Sequence, residues 1–152
     1  MSAVATSGSQ AWLSGLEERV PLGVKRSEPL AVWTSVRVGG AAEALVRPTR
    51  IDQVAAVLGF ADAEGLPVSI LGGGANTLVG DLGVKGITLK LPPVLEPEDV
   101  ALTAHGAVLT VNAGSAIARI VTLMKQHQLV GAEFLAGIPG TLGGAVTMNA
   151  GT

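Results

Sequence analysis

The chain has 152 residues, 48% of them apolar and 14% charged, with a formal net charge of −2. That is enough apolar material for one domain or two small subdomains, and it excludes wholesale disorder. An aromatic content of 3% with no tyrosine, the mild negative charge and the absence of cysteine argue against a base-stacking surface and a polyanion partner, and exclude disulfides and thiol chemistry.

Residues 1–9 are small and polar and read as a loose tail. Helical spacing through Leu13, Leu16 and Val20 predicts a helix from Gln10, stopped by Pro21. Residues 21–40 read as an irregular lead-in. Ala42 to Arg47 is a short strand candidate before Pro48. Ile51 to Glu64 predicts a helix with Ile51, Val54, Ala55, Leu58 and Ala61 on one face, ended by Gly65. Val68 to Leu71 reads as a compact buried strand. Strand, helix and strand make a βαβ unit with a parallel pair, and ligands bind at the carboxyl ends of such strands.

Gly86 to Leu91 is another strand, ended by Pro92-Pro93. A composition shift over Pro92–Glu98 marks a candidate subdomain boundary. Val100–Thr103 and Ala107–Val111 flank Ala104-His105-Gly106 and read as a hairpin. Ser115 is placed to cap a helix from Ala116 to about Gln128, with Ile117, Ile120, Val121 and Met124 inward. A last helix is expected from Thr141. The first cation is Arg19, no continuous apolar run precedes it, and the uncharged stretches 100–118 and 134–152 are broken by polar residues. No signal peptide or membrane span is expected, and a cytoplasmic protein with no nucleic-acid or membrane partner is the reading.

Two glycine-rich loops carry the functional signal. The first is Leu71-Gly72-Gly73-Gly74-Ala75-Asn76-Thr77-Leu78; the second is Gly137-Ile138-Pro139-Gly140-Thr141-Leu142-Gly143-Gly144-Ala145, running into Met148-Asn149-Ala150-Gly151. Glycine lets backbone N–H groups approach a ligand, so a long ligand gripped at two points is one reading. A tight turn at the first loop and tight helix packing at the second are the bland alternatives. No Gly-Lys-Ser/Thr occurs, so the first loop is not a phosphate-binding Walker loop. Thr77 stands where the third glycine of a Rossmann fingerprint belongs.

Three motifs in order resemble the UDP-N-acetylenolpyruvoylglucosamine reductase family, also called UDP-N-acetylmuramate dehydrogenases. They are Thr34-Ser35-Val36-Arg37-Val38-Gly39-Gly40-Ala41-Ala42, the stretch from Leu71 to Val79, and the stretch from Glu133 to Gly151. The resemblance implies a mixed α+β, FAD-binding fold of the vanillyl-alcohol oxidase and p-cresol methylhydroxylase type. In that fold a small parallel βαβ subdomain precedes an antiparallel-sheet subdomain. The expected division is a lead-in over 1–29, a first FAD-binding subdomain over 30–92 and part of a second over 93–152.

The implied reaction belongs to peptidoglycan precursor synthesis. NADPH reduces the flavin, which then reduces the enolpyruvyl group of a UDP-sugar to give UDP-N-acetylmuramate. Carried over, Gly72, Gly73, Gly74, Ala75, Asn76, Thr77 and Leu78 would hold the FAD diphosphate. Gly137, Ile138, Pro139, Gly140, Thr141, Gly143, Gly144 and Ala145 would line the rest of the flavin, with Val38, Gly39 and Gly40 as weaker candidates. Ala75 departs from the family's usual serine. The family's catalytic arginine, glutamate and serine fall after the motifs present here, so no catalytic residue is assigned, and residues 1–152 alone are expected not to turn over substrate. Another flavin oxidoreductase of this fold and a non-catalytic nucleotide-binding remnant are the alternatives.

The remaining polar residues read as structural. His105 is a solvated turn residue, and His127 sits near a helix end. Arg37 and Arg47 are strand-edge cations, with a phosphate role for either as the alternative. Glu96, Glu98 and Asp99 look like a solvated linker, and Glu133 is a cap, a surface group or a flavin neighbour. No metal site is expected from two isolated histidines.

Overall fold

The computed structural model describes residues 11–21 and 23–151. Helix α1 (Ala11–Arg19) buries Leu13 and Leu16 as its spacing predicts; Gln10 lies outside the described residues. The supposed irregular lead-in contains a strand, β1 (Val24–Pro29), and a 3-10 turn over Leu30–Trp33. β1 runs antiparallel to β2 (Ala41–Val46). No apolar alternation announces β1, because an edge strand tolerates charge. Arg26 instead makes two 2.7 Å bonds to the Glu17 carboxylate of α1.

Helix α2 (Ile51–Ala63) ends as expected, with Gly65 at φ +64° and Leu66 N donating to Ala61 O at 2.8 Å. Its buried face differs from expectation. Val57, Phe60 and Ala61 are buried, whereas Ile51, Ala55 and Leu58 are exposed. The helix is apolar nearly all round, so two overlapping stripes were available and the neighbour chose. Gly15 lets α1 lie against the Phe60 ring, and the Arg19 guanidinium sits 4.6 Å from that ring's centroid.

β3 (Val68–Leu71) and β4 (Val84–Lys90) complete a four-stranded sheet in the order β1-β2-β4-β3. The βαβ unit is present, but β4 is inserted between its two strands and pairs parallel with both. Residues Gly86 to Leu89 are all buried, as a central strand requires, while Ser69 and Ile70 are exposed. β3 is therefore an edge strand, not the compact buried strand expected. One core cluster joins α1 and α2 to Val46, Ile87 and Leu89; a second joins Leu30, Leu45, Leu71 and Val79.

β5 (Asp99–Thr103) and β6 (Gly106–Thr110) form the expected hairpin, with His105 exposed in its turn. α3 (Ile117–Gln126) buries Ile117, Ile120 and Met124 against Ile138 in a third cluster, with Val121 half-buried beside them. Ser115 does not cap this helix. Ala116 holds the cap position, and Ser115 Oγ donates to Pro93 O at 2.8 Å and to Glu98 Oε1 at 2.6 Å. Glu98 is accordingly no solvated linker residue. Its side chain is 8% exposed and its other oxygen accepts from Arg119 at 2.7 Å. These bonds hold the carboxyl below its ordinary value, Arg119 first and Ser115 second. Asn112 Oδ1 pins the same segment by accepting from Leu95 N and Glu96 N, each at 3.0 Å.

The last helix, α4 (Leu142–Thr147), starts where expected: Thr141 Oγ1 accepts from Gly144 N at 3.4 Å. Asn149, at φ +48°, turns the chain out of it, and Ala150 N donates to Ala145 O at 2.8 Å. Among the described residues no helix is long and apolar enough to cross a membrane.

Candidate functional site

The first glycine loop leaves the carboxyl end of β3 and the second leads into α4. The two loops touch. A Cβ on Gly73 would stand 2.7 Å from Gly140 Cα, and one on Gly72 would stand 2.9 Å from Thr141 Oγ1. Gly74 turns at φ +71°, and a Cβ there would strike Trp33 O and stand 2.9 Å from Thr34 Cα. Ser35 N donates to Gly74 O at 3.0 Å on the same side. These glycines thus remove side chains where backbone meets backbone, which is the bland half of the sequence reading.

The joined loops also wall a cavity of about 600 Å³. Gly72, Gly73, Gly74, Ala75, Asn76 and Thr77 line it from the first loop; Ile138, Pro139, Gly140, Thr141, Gly143, Gly144 and Ala145 line it from the second. Two of the predicted site residues are not among the lining. Leu78 is 76% exposed, and Gly137 precedes the lining stretch, where a Cβ would meet nothing. Val38, Gly39 and Gly40 are also elsewhere. Gly40 N donates to Gly80 O at 3.0 Å, and a Cβ on Gly39 would stand 2.6 Å from Val79 Cβ, so this strip packs on the loop before β4. The remaining lining comes from Ile70, Leu71, Leu91, Ala113, Gly114, Thr147, Met148 and Ala150.

Among the described residues no charged side chain lines the cavity. The two loops nevertheless differ in what they offer. Among the described residues, the N–H groups of residues 73–77 donate to no other group of the protein. In the second loop the donors that open α4 are spent, Leu142 N on Ser115 O at 2.9 Å, Gly143 N on Ala113 O at 2.8 Å and Gly144 N on Thr141 Oγ1, and among the described residues the N–H groups of Gly140 and Thr141 donate to no other group of the protein. The first loop is therefore an unfilled row of amide donors, suited to an anion. The second is a small-residue wall suited to a flat or apolar group.

Sequence reasoning missed two features. Gly114 sits beneath the loops, where a Cβ would fall on Pro92 O. Lys90, at the end of β4, donates its ammonium to Gly72 O and so tethers the first loop. Burial pushes this lysine below its ordinary value, and the neighbouring Arg47 adds to the effect. The only sequence signal for Lys90 is its place at the carboxyl end of a parallel strand.

Glu133 does not reach the cavity. Its carboxylate accepts from Gly131 N at 3.0 Å, which holds it below the ordinary value. Among the described residues no three potential metal ligands cluster.

Residues 42–152 match the FAD binding domain family. The UDP-N-acetylenolpyruvoylglucosamine reductase of Myxococcus xanthus (strain DK1622) is 65% identical over 129 residues, which is 85% of this chain and 42% of that protein. The reductase of Anaeromyxobacter dehalogenans (strain 2CP-C) is 49% identical over 141 residues, 93% of this chain and 42% of that one. Among solved structures, the reductase of Thermus caldophilus gives a TM-score of 0.66 at 30% identity, covering 85% of this chain and 43% of its own. A solvent-stable cholesterol oxidase, 19% identical with a TM-score of 0.68 over 88% of this chain and 25% of its own, shares the fold.

The chain thus spans under half the length of the relatives it matches. The mixed α+β fold with one mainly parallel and one antiparallel sheet is the one expected. With the match running through both sheets and both glycine loops, the chain belongs to the FAD binding domain family, and its relatives over this stretch are the UDP-N-acetylenolpyruvoylglucosamine reductases.

Proposed function

We propose that this chain is the FAD-holding portion of a UDP-N-acetylenolpyruvoylglucosamine reductase that serves peptidoglycan precursor synthesis in the cytoplasm, with NADPH as hydride donor and a UDP-sugar as substrate. The observation that carries this reading is the row of unspent N–H groups at 73–77 on a cavity wall with no carboxylate. The residues present fit the cofactor. Gly73, Gly74, Ala75, Asn76 and Thr77 would hold the diphosphate through main-chain donors. Ile138, Pro139, Gly140 and Gly144 would lie along the rest of the dinucleotide and keep water from that side.

FAD, when bound, supplies the relay that accepts a hydride from one substrate and passes it to the other. The chain's own residues do the binding and orienting. Among the described residues no Asp, Glu, His, Lys or Arg side chain lines the cavity, and its side-chain hydroxyls are those of Thr77, Thr141 and Thr147. Residues 30–92 are assigned to a first FAD-binding subdomain and 93–152 to the start of a second. α1 and β1 attach to the first, because they pack on its sheet. The absence of a titratable lining group also favours the second reading, a nucleotide-binding unit without turnover of its own.

Two measurements test the proposal. Titration of the purified chain with FAD, followed by flavin fluorescence quenching and gel filtration, is expected to retain one flavin per chain. NADPH oxidation in the presence of the UDP-sugar substrate is expected to stay at background. Flavin lost completely on gel filtration counts against the cofactor reading; substrate-dependent turnover overturns the assignment of chemistry to residues outside this stretch.

A further inference from the structure

Behind the meeting point of the two loops lies a second cavity, of about 230 Å³. It shares Gly73, Leu91, Gly114, Gly140 and Thr141 with the first and is walled on its other side by Trp33, Arg47 and Lys90. Strand register puts the two cations together. Lys90 pairs with Leu71 across β4 and β3, and Arg47 follows directly after Val46, which pairs with Leu89. Both thus belong to the last row of the parallel strands and share the sheet face of Leu71. The Arg47 guanidinium lies over the Trp33 ring, 5.2 Å from its centroid, which fixes its plane.

Neither cation is ion-paired. Among the described residues no carboxylate lies within ion-pair distance of Arg47 or Lys90. Glu28, whose carboxylate feels the Arg47 charge without pairing with it, accepts from Lys25 Nζ at 2.9 Å and from Trp33 Nε1 at 3.0 Å. Lys90 spends one of its three donors on Gly72 O. A half-buried ammonium beside an exposed guanidinium, with the guanidinium edge and two ammonium protons left over, makes the cleft favourable to an anion.

We propose that Arg47 and Lys90 form a phosphate-binding subsite on the far side of the glycine loops, distinguished from the main cavity by its two cations. Arg47 supplies the planar fork that matches a phosphate edge, and Lys90 a point charge. The ligand is a phosphate group, carried either by a free phosphate compound or by the dinucleotide itself where it passes Gly73 and Gly140. Occupancy couples to the main cavity through Lys90, because the same ammonium tethers Gly72.

Amine acylation of the chain, read lysine by lysine by mass spectrometry, tests this with Lys25, Lys85 and Lys125 as internal references. Inorganic phosphate at constant ionic strength is expected to slow acylation of Lys90 selectively, with and without FAD present. Protection by phosphate only without FAD, together with protection by FAD and not by riboflavin, assigns the subsite to the dinucleotide's own diphosphate. Arg47→Met is expected to weaken the protecting concentration about tenfold and Arg47→Lys to restore most of it. Lys90 acylated at one rate in buffer, phosphate and FAD alike overturns the proposal. That wild-type measurement stands even if Arg47→Met fails to fold, and the phosphate arm stands whether or not the chain retains FAD.

Discussion

Gly73 and Gly140 touch through bare backbone: a methyl group on Gly73 would lie 2.7 Å from Gly140 Cα. The two loops are thereby one structure, although more than sixty residues apart in sequence, and the cavity exists because of that contact. Gly73→Ala must push the loops apart. Overpacking of this kind costs about 1–3 kcal/mol, and part of it falls on the cavity. We expect flavin affinity to drop about tenfold or more. Gly80→Ala, in the same connection but with nothing within 4 Å of its Cβ, is expected to change neither affinity nor melting temperature. Equal behaviour of the two variants would remove the loop contact from the explanation.

A separate glycine is expected to be improvable. Gly59 lies inside α2 and is exposed, and a Cβ there meets nothing within 4 Å. Gly59→Ala should stabilise the chain by about 1 kcal/mol through helix propensity. Thermal unfolding should shift upward by about 2–4 °C, with flavin binding unchanged.

Glu98 is expected to make stability depend on acid pH. Its carboxylate is held charged by Arg119 and Ser115, so the folded state binds its proton less readily than the unfolded chain. Its contribution is complete above the ordinary glutamate range and is lost as pH falls through the lowered folded value. Glu98→Gln should cost about 1–3 kcal/mol at neutral pH. Denaturant unfolding of both proteins over a pH series should show the difference shrinking toward acid; a constant difference would contradict the ion pair's role.

Ala75 stands in the lining of the main cavity, in the loop with the free amides. Ala75→Ser adds one hydroxyl there. Tighter FAD binding by up to about 1 kcal/mol is expected, measured by fluorescence titration, with riboflavin affinity unchanged because the added donor addresses the diphosphate. Equal gains for FAD and riboflavin would place the hydroxyl against the ring instead.

Local features were legible from residues alone. Gly65 stops α2, Thr141 opens α4, and Ala104-His105 turns the hairpin, each through the chemistry of a few adjacent residues. Both glycine loops were visible for the same reason, and nearly all of their predicted residues line one cavity. Leu78 and Gly137 fell outside it because direction at a loop's end depends on what the loop packs against. β1 was invisible because a charged edge strand carries no period, and Ser115 was misread because its acceptors lie 17 and 22 residues away.

The amino-acid order therefore determined the helices, the turns and the two stretches of uncovered backbone, since these depend on neighbours within a few bonds. Only the tertiary structure decided that β4 enters between β2 and β3, which stripe of α2 is buried, and that Arg47 and Lys90 stand side by side behind the loops. Those outcomes are set by contacts between distant segments, where competing arrangements of the same local pieces differ by burial and charge that no short window of sequence contains.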